Sequence, residues 1–231
     1  MSPPLVLVPA MLCDAELYRA QLPSLGDPLI VPVGEVSMAE AARSVLRQAP
    51  PRFALGGTSA GGSLALEIVA LAPERIAGLL LSGANPGPSP DPAGARRLSE
   101  RVRAGEFDAV IAEFAARMVH IEGPRGSEAV ATFRRMAGRA GPEAFVRQNE
   151  AMITRGDRWH ALSALRVPTL LLWGRLDQFS SVDRATEIVG RVPGARLVVL
   201  EECGHLPTLE HPDASSTAAR DWLRSIDNPA C

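Results

Sequence analysis

The sequence predicts an α/β fold in which a six-stranded parallel sheet, with helices on both faces, is interrupted by one helical insertion. Two observations lead to this prediction. Short apolar segments alternate with helical segments in the first and last parts of the chain, whereas the middle has helical periodicity without any strand pattern. Such alternation is typical of right-handed βαβ units, which build a parallel sheet.

Six short apolar segments are predicted to be the strands. They are residues 5–8, 29–33, 53–57, 76–82, 168–173 and 196–200. Helices are predicted near 16–22 and over 38–48, 60–71, 183–192 and 211–225. The order strand, helix, strand is what parallel pairing requires, because the chain must cross back before the next strand.

The insertion begins where proline and glycine become frequent, at 85–94, which indicates a boundary. Apolar residues then recur on single helical faces, as Phe107, Val110, Ile111, Phe114 and Met118 do. The predicted helices are 94–104, 106–119, 127–138 and 142–155. We therefore expect a core formed by 1–85 and 161–231 and a helical cap formed by 86–160.

Composition and charge exclude several functions. The chain has 231 residues, its 24 basic residues are all Arg, and its net charge is −2. This balance offers no basic surface for nucleic acid, and a chain without Lys has no catalytic lysine. No apolar run reaches the roughly 18 residues of a membrane span, and no basic segment precedes the first strand, so we expect neither a membrane span nor a signal peptide. The expected protein is cytoplasmic, and we expect a monomer or a homodimer. Cys13, Cys203 and Cys231 are widely spaced and are interpreted as free thiols.

Ser59 lies in a G-x-S-x-G motif between a predicted strand and a predicted helix. A serine hydroxyl is a poor nucleophile until a sharp turn presents it and a base removes its proton. Side chains at Gly57 and Gly61 would collide with the neighbouring strand and helix, and the helix that begins at Ala60 directs N–H groups toward a developing oxyanion. The motif also occurs by chance in glycine-rich chains, but its strand–turn–helix context favours a nucleophile.

A nucleophilic serine in this architecture requires an acid and then a histidine later in the chain. His205 follows the last predicted strand and is the best placed of the four histidines, because catalytic side chains gather at the carboxyl ends of parallel strands. Asp177 follows the strand 168–173 and is the favoured acid. Asp183 is its serious rival, whereas Asp157 precedes the strand and is poorly placed.

These motifs resemble those of the α/β-hydrolase superfamily over nearly the whole chain. The resemblance rests on the G-x-S-x-G motif, on the W-G-R-L-D segment that ends at Asp177, and on the Gly204-His205 pair. It implies that Ser59, Asp177 and His205 form a catalytic triad. It also implies that 86–160 is the variable helical cap that such enzymes carry after their sixth strand.

The chain departs from the family pattern in two places. Such enzymes usually have two strands before the one that carries the oxyanion loop, but here that strand begins at Leu5, so we expect six strands. The loop reads Pro-Ala-Met-Leu at 9–12, where many relatives have His-Gly. The resemblance implies that the backbone N–H groups of Met11 and Ala60 form the oxyanion hole, although Ala10 lacks the conformational freedom of the usual glycine.

The expected activity is therefore that of a serine esterase without metal or organic cofactor. The substrate pocket is expected to be lined by Leu12, Phe114 and Met118. Their apolar side chains favour a small-molecule ester that is hydrophobic and of small to medium size. Acyl thioesterases and carbon–carbon bond hydrolases or lyases share the triad and stay open, as does a non-catalytic ligand-binding relative. The 12 arginines between Arg96 and Arg158 are interpreted as solvated helix faces, not as an anion site. A nucleotide-binding protein is disfavoured because 56–62 lacks the G-x-G-x-x-G register.

Overall fold

A computed structural model describes residues 3–34 and 36–227 and contains the predicted sheet. The strands are β1 (Leu5–Val8), β2 (Leu29–Ile30), β3 (Phe53–Thr58), β4 (Ile76–Ser82), β5 (Thr169–Gly174) and β6 (Arg196–Leu200). Their order across the sheet is β2-β1-β3-β4-β5-β6, and every neighbouring pair is parallel. The prediction of six parallel strands is confirmed.

Helices follow the strands and fill the insertion. They are α1 (Leu22–Leu25), α2 (Met38–Gln48), α3 (Ala60–Leu71), α4 (Pro92–Arg103), α5 (Phe107–Met118), α6 (Gly126–Ile153), α7 (Trp159–Ala164), α8 (Val182–Arg191), α9 (Pro207–Glu210) and α10 (Pro212–Asp227). Side chains cap the starts of α2 and α4. At α2 the Ser37 hydroxyl accepts the N–H of Glu40 and donates to the Glu40 carboxylate.

Apolar residues alternate between the two faces of the sheet. In β1, Val6 and Val8 belong to one core with α2, α3 and α8, whereas Leu5 and Leu7 belong to the other. Alternation follows from the two-residue period of a strand. The second core includes Trp222 of α10 and also Phe133, Phe145 and other side chains of the insertion, whereas Ala151 of the insertion belongs to the first core.

The insertion, which we define as residues 86–160, contains the four predicted helical segments. The third and fourth lie within α6, which is interrupted at Gly141, where φ is 80° and Pro142 follows. Proline cannot continue the hydrogen-bond ladder and restricts the residue before it, so the break falls where the sequence predicts it. The predicted boundary at residue 160 falls inside α7.

Two local predictions are wrong. The helix near 16–22 is a 3-10 turn (Ala15–Tyr18) followed by the single turn α1, which ends at Gly26 with φ 76°. The strand expected over 29–33 has ladder pairs only at Leu29 and Ile30, and its last bond to β1 is from the Val31 N–H to the Leu7 carbonyl at 3.0 Å. Beyond it the Val33 carbonyl accepts the side chain of Gln148 instead of continuing the sheet.

Two predictions concerning membrane and thiol chemistry can be compared with the structure. No helix within the described ranges is both long enough and apolar enough to cross a bilayer. Cys13 and Cys203 are buried free thiols, and Cys231 lies outside the described residues.

Candidate active site

Ser59 occupies a strained turn between β3 and α3. Its φ of 55° and ψ of −115° lie outside the regions that non-glycine residues prefer, at a cost of about 1–3 kcal/mol. The Ser59 N–H donates to the carbonyl of Ser82 at 2.7 Å, and the Ser59 carbonyl accepts the N–H of Ser63 at 3.0 Å. These bonds, one to the next strand and one to its own helix, hold the turn so that the partly exposed side chain projects from the sheet edge.

Close packing explains the two glycines that flank this turn. A Cβ at Gly57 would overlap the backbone of Gly61 and Gly62 at the start of α3. A Cβ at Gly61 would overlap the carbonyl groups of Val8 and Pro9 at the end of β1. At both glycines the structure therefore has the close contacts, with the neighbouring helix and strand, that the sequence predicts.

Asp177 and His205 form a buried pair beyond the carboxyl ends of β5 and β6. His205 Nδ1 lies 2.7 Å from Asp177 Oδ2, and the two side chains are 2% and 1% exposed. The other carboxylate oxygen of Asp177 accepts the N–H groups of Phe179 (2.8 Å) and Ser180 (2.9 Å). With both oxygens engaged, the carboxylate has one orientation, and it aligns the imidazole ring.

This geometry determines which ring nitrogen of His205 carries the proton. An ionised carboxylate only accepts hydrogen bonds, so Nδ1 is the donor to Asp177. Nε2 then has a free lone pair and can accept a proton. Ser59 Oγ makes no hydrogen bond within residues 3–34 and 36–227, so proton transfer from Ser59 to His205 remains a prediction.

Gly83, at the end of β4, connects the serine turn to this pair. Its neighbour Ser82 accepts the Ser59 N–H, while a Cβ at Gly83 would lie 2.5 Å from Cε1 of His205 and 3.3 Å from Oδ2 of Asp177. Gly83 also has a positive φ of 59°. Sequence reasoning missed this residue, although a glycine directly after a strand was a signal that could have found it.

Asp183, His160 and His211 are not part of this pair. Asp183 is exposed in the first turn of α8. His160 is exposed in α7, and the His211 ring donates to the carbonyl of Glu202 at 3.2 Å. The structure thus brings Asp177, and not its rival, to His205.

The loop after β1 presents a free N–H at Met11. Cys13 donates to the Ala10 carbonyl at 3.0 Å and closes a turn over Met11 and Leu12. Leu12, not Ala10, takes the positive φ of this turn (62°), a position that usually selects glycine. Within residues 3–34 and 36–227, the N–H groups of Met11 and Ala60 have no acceptor, which is the condition for donating to an oxyanion.

The insertion holds this loop through one side chain. Gln148 of α6, which is buried, accepts the Leu12 N–H on Oε1 at 2.7 Å and donates from Nε2 to the Val33 carbonyl at 2.6 Å. The strained residue next to Met11 therefore depends on the position of α6. Helical periodicity does not reveal this role, because Gln148 resembles an ordinary polar helix residue.

Tyr18 supports the same corner from below the serine turn. Its hydroxyl donates to the Val8 carbonyl at 2.9 Å and shares a 3.0 Å hydrogen bond with Thr58, the residue before Ser59. Burial raises the pKa of Tyr18 above its usual range, so the hydroxyl stays protonated as a donor. Burial likewise raises the pKa of Cys13 and Cys203, which keeps both thiols unreactive.

An aromatic chain leads from the insertion to His205. The ring centroids of Phe145 and Phe114 are 5.6 Å apart, those of Phe114 and Phe179 are 5.8 Å apart, and that of Phe179 is 5.1 Å from the His205 ring. The guanidinium carbon of Arg117 lies 4.4 Å from the centroid of Phe179. Phe179, which sequence reasoning missed, thus contacts both the insertion and the histidine.

The three predicted pocket residues meet in the apolar cluster that contains Met11 and Ala60. Leu12 and Met118 are 1% and 3% exposed, whereas Phe114 is partly exposed. Their role as a substrate pocket stays a prediction.

Comparison with known proteins agrees with this geometry. The sequence matches the family described as "Alpha/beta hydrolase family" over residues 4–218. A pimeloyl-[acyl-carrier protein] methyl ester esterase from Neisseria meningitidis is 25% identical over an alignment that covers 97% of this chain and 73% of that protein. Monoacylglycerol lipase ABHD6 from Rattus norvegicus is 32% identical over 68 residues only, which are 29% of this chain and 20% of that protein.

Among solved structures, a thermophilic esterase from Thermogutta terrifontis superimposes with a TM-score of 0.86 and 28% sequence identity. The superposition covers 98% of this chain and 91% of the esterase. The likeness therefore extends through the core and the insertion together.

Proposed function

Because the chain belongs to the alpha/beta hydrolase family, we propose that it is a serine hydrolase that cleaves a carboxylic ester of a small to medium hydrophobic substrate. The observation that carries the proposal is the buried 2.7 Å contact between Asp177 and His205, next to the strained turn of Ser59. A buried acid, an imidazole that it orients and a projecting hydroxyl are the parts that nucleophilic catalysis needs.

In the proposed first step, Ser59 Oγ attacks the ester carbonyl while His205 Nε2 takes its proton. Asp177 stabilises the imidazolium that forms, and this interaction is strong because both side chains are buried. The electron pair of the carbonyl moves to its oxygen, which accepts the N–H groups of Met11 and Ala60. When the carbonyl re-forms, His205 returns the proton to the alcohol as it leaves, and an acyl-enzyme remains on Ser59.

In the second step, water attacks the acyl-enzyme with His205 as the base, and collapse releases the acid and restores Ser59. Helix α3 begins at Ala60, and the positive end of its dipole stabilises the oxyanion in both steps. Loss of one oxyanion donor typically costs about 3 kcal/mol of transition-state stabilisation. Since both donors are backbone groups, this stabilisation depends on loop geometry and not on side-chain identity.

An apolar substrate is supported by the side chains around the pair. Phe179 of the acid loop packs on His205, and Phe114 of the insertion packs on Phe179. Leu12 and Met118 lie in the same apolar cluster as Phe114. The esterase relatives act on esters of the kinds that their names state, and they support the reaction class without specifying the acyl group of this chain's substrate.

A fluorophosphonate probe tests the nucleophile. Wild-type protein should be labelled at Ser59, and Ser59→Ala should not react and should lose about 10⁶-fold in turnover if the triad acts as a unit. Ser63→Ala is the matched control, because Ser63 lies in α3 one turn beyond Ser59. Labelling at another residue, or none, would show that the proposal is wrong.

A substrate panel tests the reaction class. We expect turnover of p-nitrophenyl esters, with a maximum at short to medium acyl chains, and weaker turnover of acyl-CoA thioesters. Preference for thioesters, or for carbon–carbon cleavage of a vinylogous diketone, would replace the esterase assignment with one of the alternatives that share the triad.

A further inference from the structure

A buried carboxyl group that the proposed reaction does not use lies beside His205. Glu210 is the last residue of α9 and is 2% exposed. Its Oε2 accepts the N–H groups of Gly204 at 2.7 Å and His120 at 2.9 Å, and its Oε1 accepts the N–H of Leu206 at 3.0 Å. One side chain therefore satisfies three backbone donors from two separate parts of the chain.

Two of these bonds bracket the histidine. Gly204 and Leu206 are the residues directly before and after His205, whose own N–H donates to the Met118 carbonyl at 2.7 Å. Three consecutive N–H groups of this loop are thus held by Glu210 or by the insertion. Because the loop makes no strand ladder here, these bonds define where the backbone of His205 lies.

The third bond connects the loop to the insertion. His120 follows the end of α5, two residues after Met118, so the segment 118–120 both accepts from His205 and donates to Glu210. The contact is close: a Cβ at Gly204 would lie 2.8 Å from the His120 nitrogen and from the Met118 oxygen. A displacement of Glu210 would therefore move the histidine loop and the end of α5 together.

The energetics also single out this residue. A buried carboxyl group loses its hydration, and only charge-assisted hydrogen bonds to well-placed donors offset that loss. Glu210 has no arginine partner among the described residues, and its three bonds all go to backbone N–H groups around the histidine. Substitutions other than proline leave these backbone N–H groups in place, so the carboxyl group is the part of this arrangement that depends on a side chain.

We propose that Glu210 is a positioning residue for His205. Glu210 keeps the imidazole aligned with Asp177 and Ser59, and it makes this alignment depend on the position of the insertion. The proposal rests on the proposed function, in which His205 is the base. It concerns the backbone that carries the imidazole, and it adds no step to the reaction.

Glu210→Gln tests the proposal with almost no change in side-chain size. A glutamine has one oxygen where glutamate has two, so at least one of the three N–H groups must face an NH₂ group and lose its acceptor. The readout is the reaction of Ser59 with a fluorophosphonate, measured as a maximal rate and a half-saturating concentration. We expect the maximal rate to fall about 10–100-fold, as small displacements of catalytic groups do, with the half-saturating concentration unchanged.

A second readout reports the histidine itself. The proton that His205 Nδ1 donates to Asp177 should give a downfield resonance in the NMR spectrum of wild-type protein, and this resonance should shift or broaden in Glu210→Gln. Glu201→Gln is the matched control, because Glu201 is an exposed carboxylate of the same loop that pairs with Arg175. Both readouts should be unchanged in that variant.

The outcomes separate the two proposals. If wild-type protein is not labelled at Ser59, the proposed function fails whatever Glu210 does. If wild-type protein is labelled but folded Glu210→Gln keeps its maximal rate and its downfield proton, the positioning role is wrong. A loss of thermal stability with both readouts unchanged has the same meaning, because it shows a structural role only. Should Glu210→Gln fail to fold, Glu210→Asp, which withdraws the carboxyl group by one methylene, is measured in the same way and judged by the same two readouts.

Discussion

The turn that carries Ser59 and the helical insertion are held in place by different kinds of bond. Backbone groups hold the serine turn: Ser59 donates to Ser82, and its carbonyl accepts the N–H of Ser63. Side chains supply much of the attachment of the insertion: Gln148 bonds to the loop after β1, and Arg158 forms an ion pair with Glu67 of α3. Two further arginines of α6 extend this attachment by pairing with acids near the start of the chain.

This difference teaches where each region is sensitive. A backbone bond survives most substitutions, provided that a side chain has room, so the serine turn depends mainly on glycines such as Gly57, Gly61 and Gly83. A side-chain bond is lost with one substitution or one protonation. We therefore expect the backbone of the serine turn to tolerate most substitutions, and the contacts made by single side chains, at the acid, at the histidine loop and at the insertion, to be the more easily changed.

The largest effect is expected at the acid of the core. Asp177→Asn replaces an acceptor with an amide that can favour the wrong tautomer of His205, and turnover should fall by about 10⁴-fold. Asp183→Asn is the control, because Asp183 is exposed and is not part of the pair. The measurement is the steady-state turnover of both variants with the ester that the wild type cleaves fastest. Normal turnover in Asp177→Asn together with loss in Asp183→Asn would reverse the assignment of the acid.

The next largest effect is expected at the attachment of the insertion. Gln148→Leu leaves the Leu12 N–H and the Val33 carbonyl without a partner, and each orphaned buried group costs about 1–3 kcal/mol of unfolding free energy. Urea denaturation measures this loss. Gln48→Leu is a matched control, because the exposed Gln48 bonds only to Ser44 of its own helix. Equal stability of the two variants would contradict the view that a side chain fixes this loop.

A smaller effect is expected where the two regions meet. Phe179→Ala removes the aromatic contact between the insertion and His205, and an aromatic pair is worth about 0.5–1.5 kcal/mol. We therefore expect kcat/KM to fall by up to about tenfold. Leu176→Ala, another exposed apolar side chain of the same loop, should change it less. If both variants behave alike, the loss reflects exposed apolar area and not the contact with the histidine.

The smallest effect is expected when the pH is lowered, at the ion pairs of Glu16. Hydrogen bonds from Arg135 and Arg139 of α6 lower the pKa of Glu16 from 4.5 to about 2. A depressed carboxyl pKa contributes stability above the unfolded value, and this stability is lost as the pH falls from 4.5 toward 2. The contribution is at most about 1 kcal/mol, because the two arginine side chains are 52% and 46% exposed.

Glu16→Gln checks this sign. The variant should be less stable than the wild type at neutral pH, and the gap should close as the pH falls through the same window. Denaturation curves across pH measure the gap, and a gap that stays constant would mean that the Glu16 pairs do not stabilise the fold.

Several features of the chain could be predicted because their causes are local. Apolar runs and their alternation with helices predict five of the six strands closely, and Gly141-Pro142 predicts the break in α6. The G-x-S-x-G motif predicts the turn at Ser59, since its glycines and its place between strand and helix are visible in a few consecutive residues. The length of β2 was missed because a β-branched run does not show where the chain leaves the sheet edge, which here depends on a contact of Val33 with the distant Gln148.

Other features depend on segments that are distant in sequence. Asp177 and Asp183 both follow β5 within ten residues, and the position of His205 in the loop after the neighbouring strand β6 decides between them. Gln148 and Glu210 look like ordinary polar residues of helices, and nothing near them in the sequence indicates that Gln148 accepts the Leu12 N–H or that Glu210 accepts the His120 N–H.

The sequence by itself therefore determined the class of fold, the parallel order of its units and the serine turn, because each follows from periodicity or from the conformations that glycine and proline allow. The tertiary structure alone decided which acid meets the histidine and which side chains hold the histidine and the oxyanion loop. The reason is physical: a hydrogen bond depends on distance and angle in space, and residues up to 136 positions apart come within 2.7 Å only when the sheet and the insertion pack.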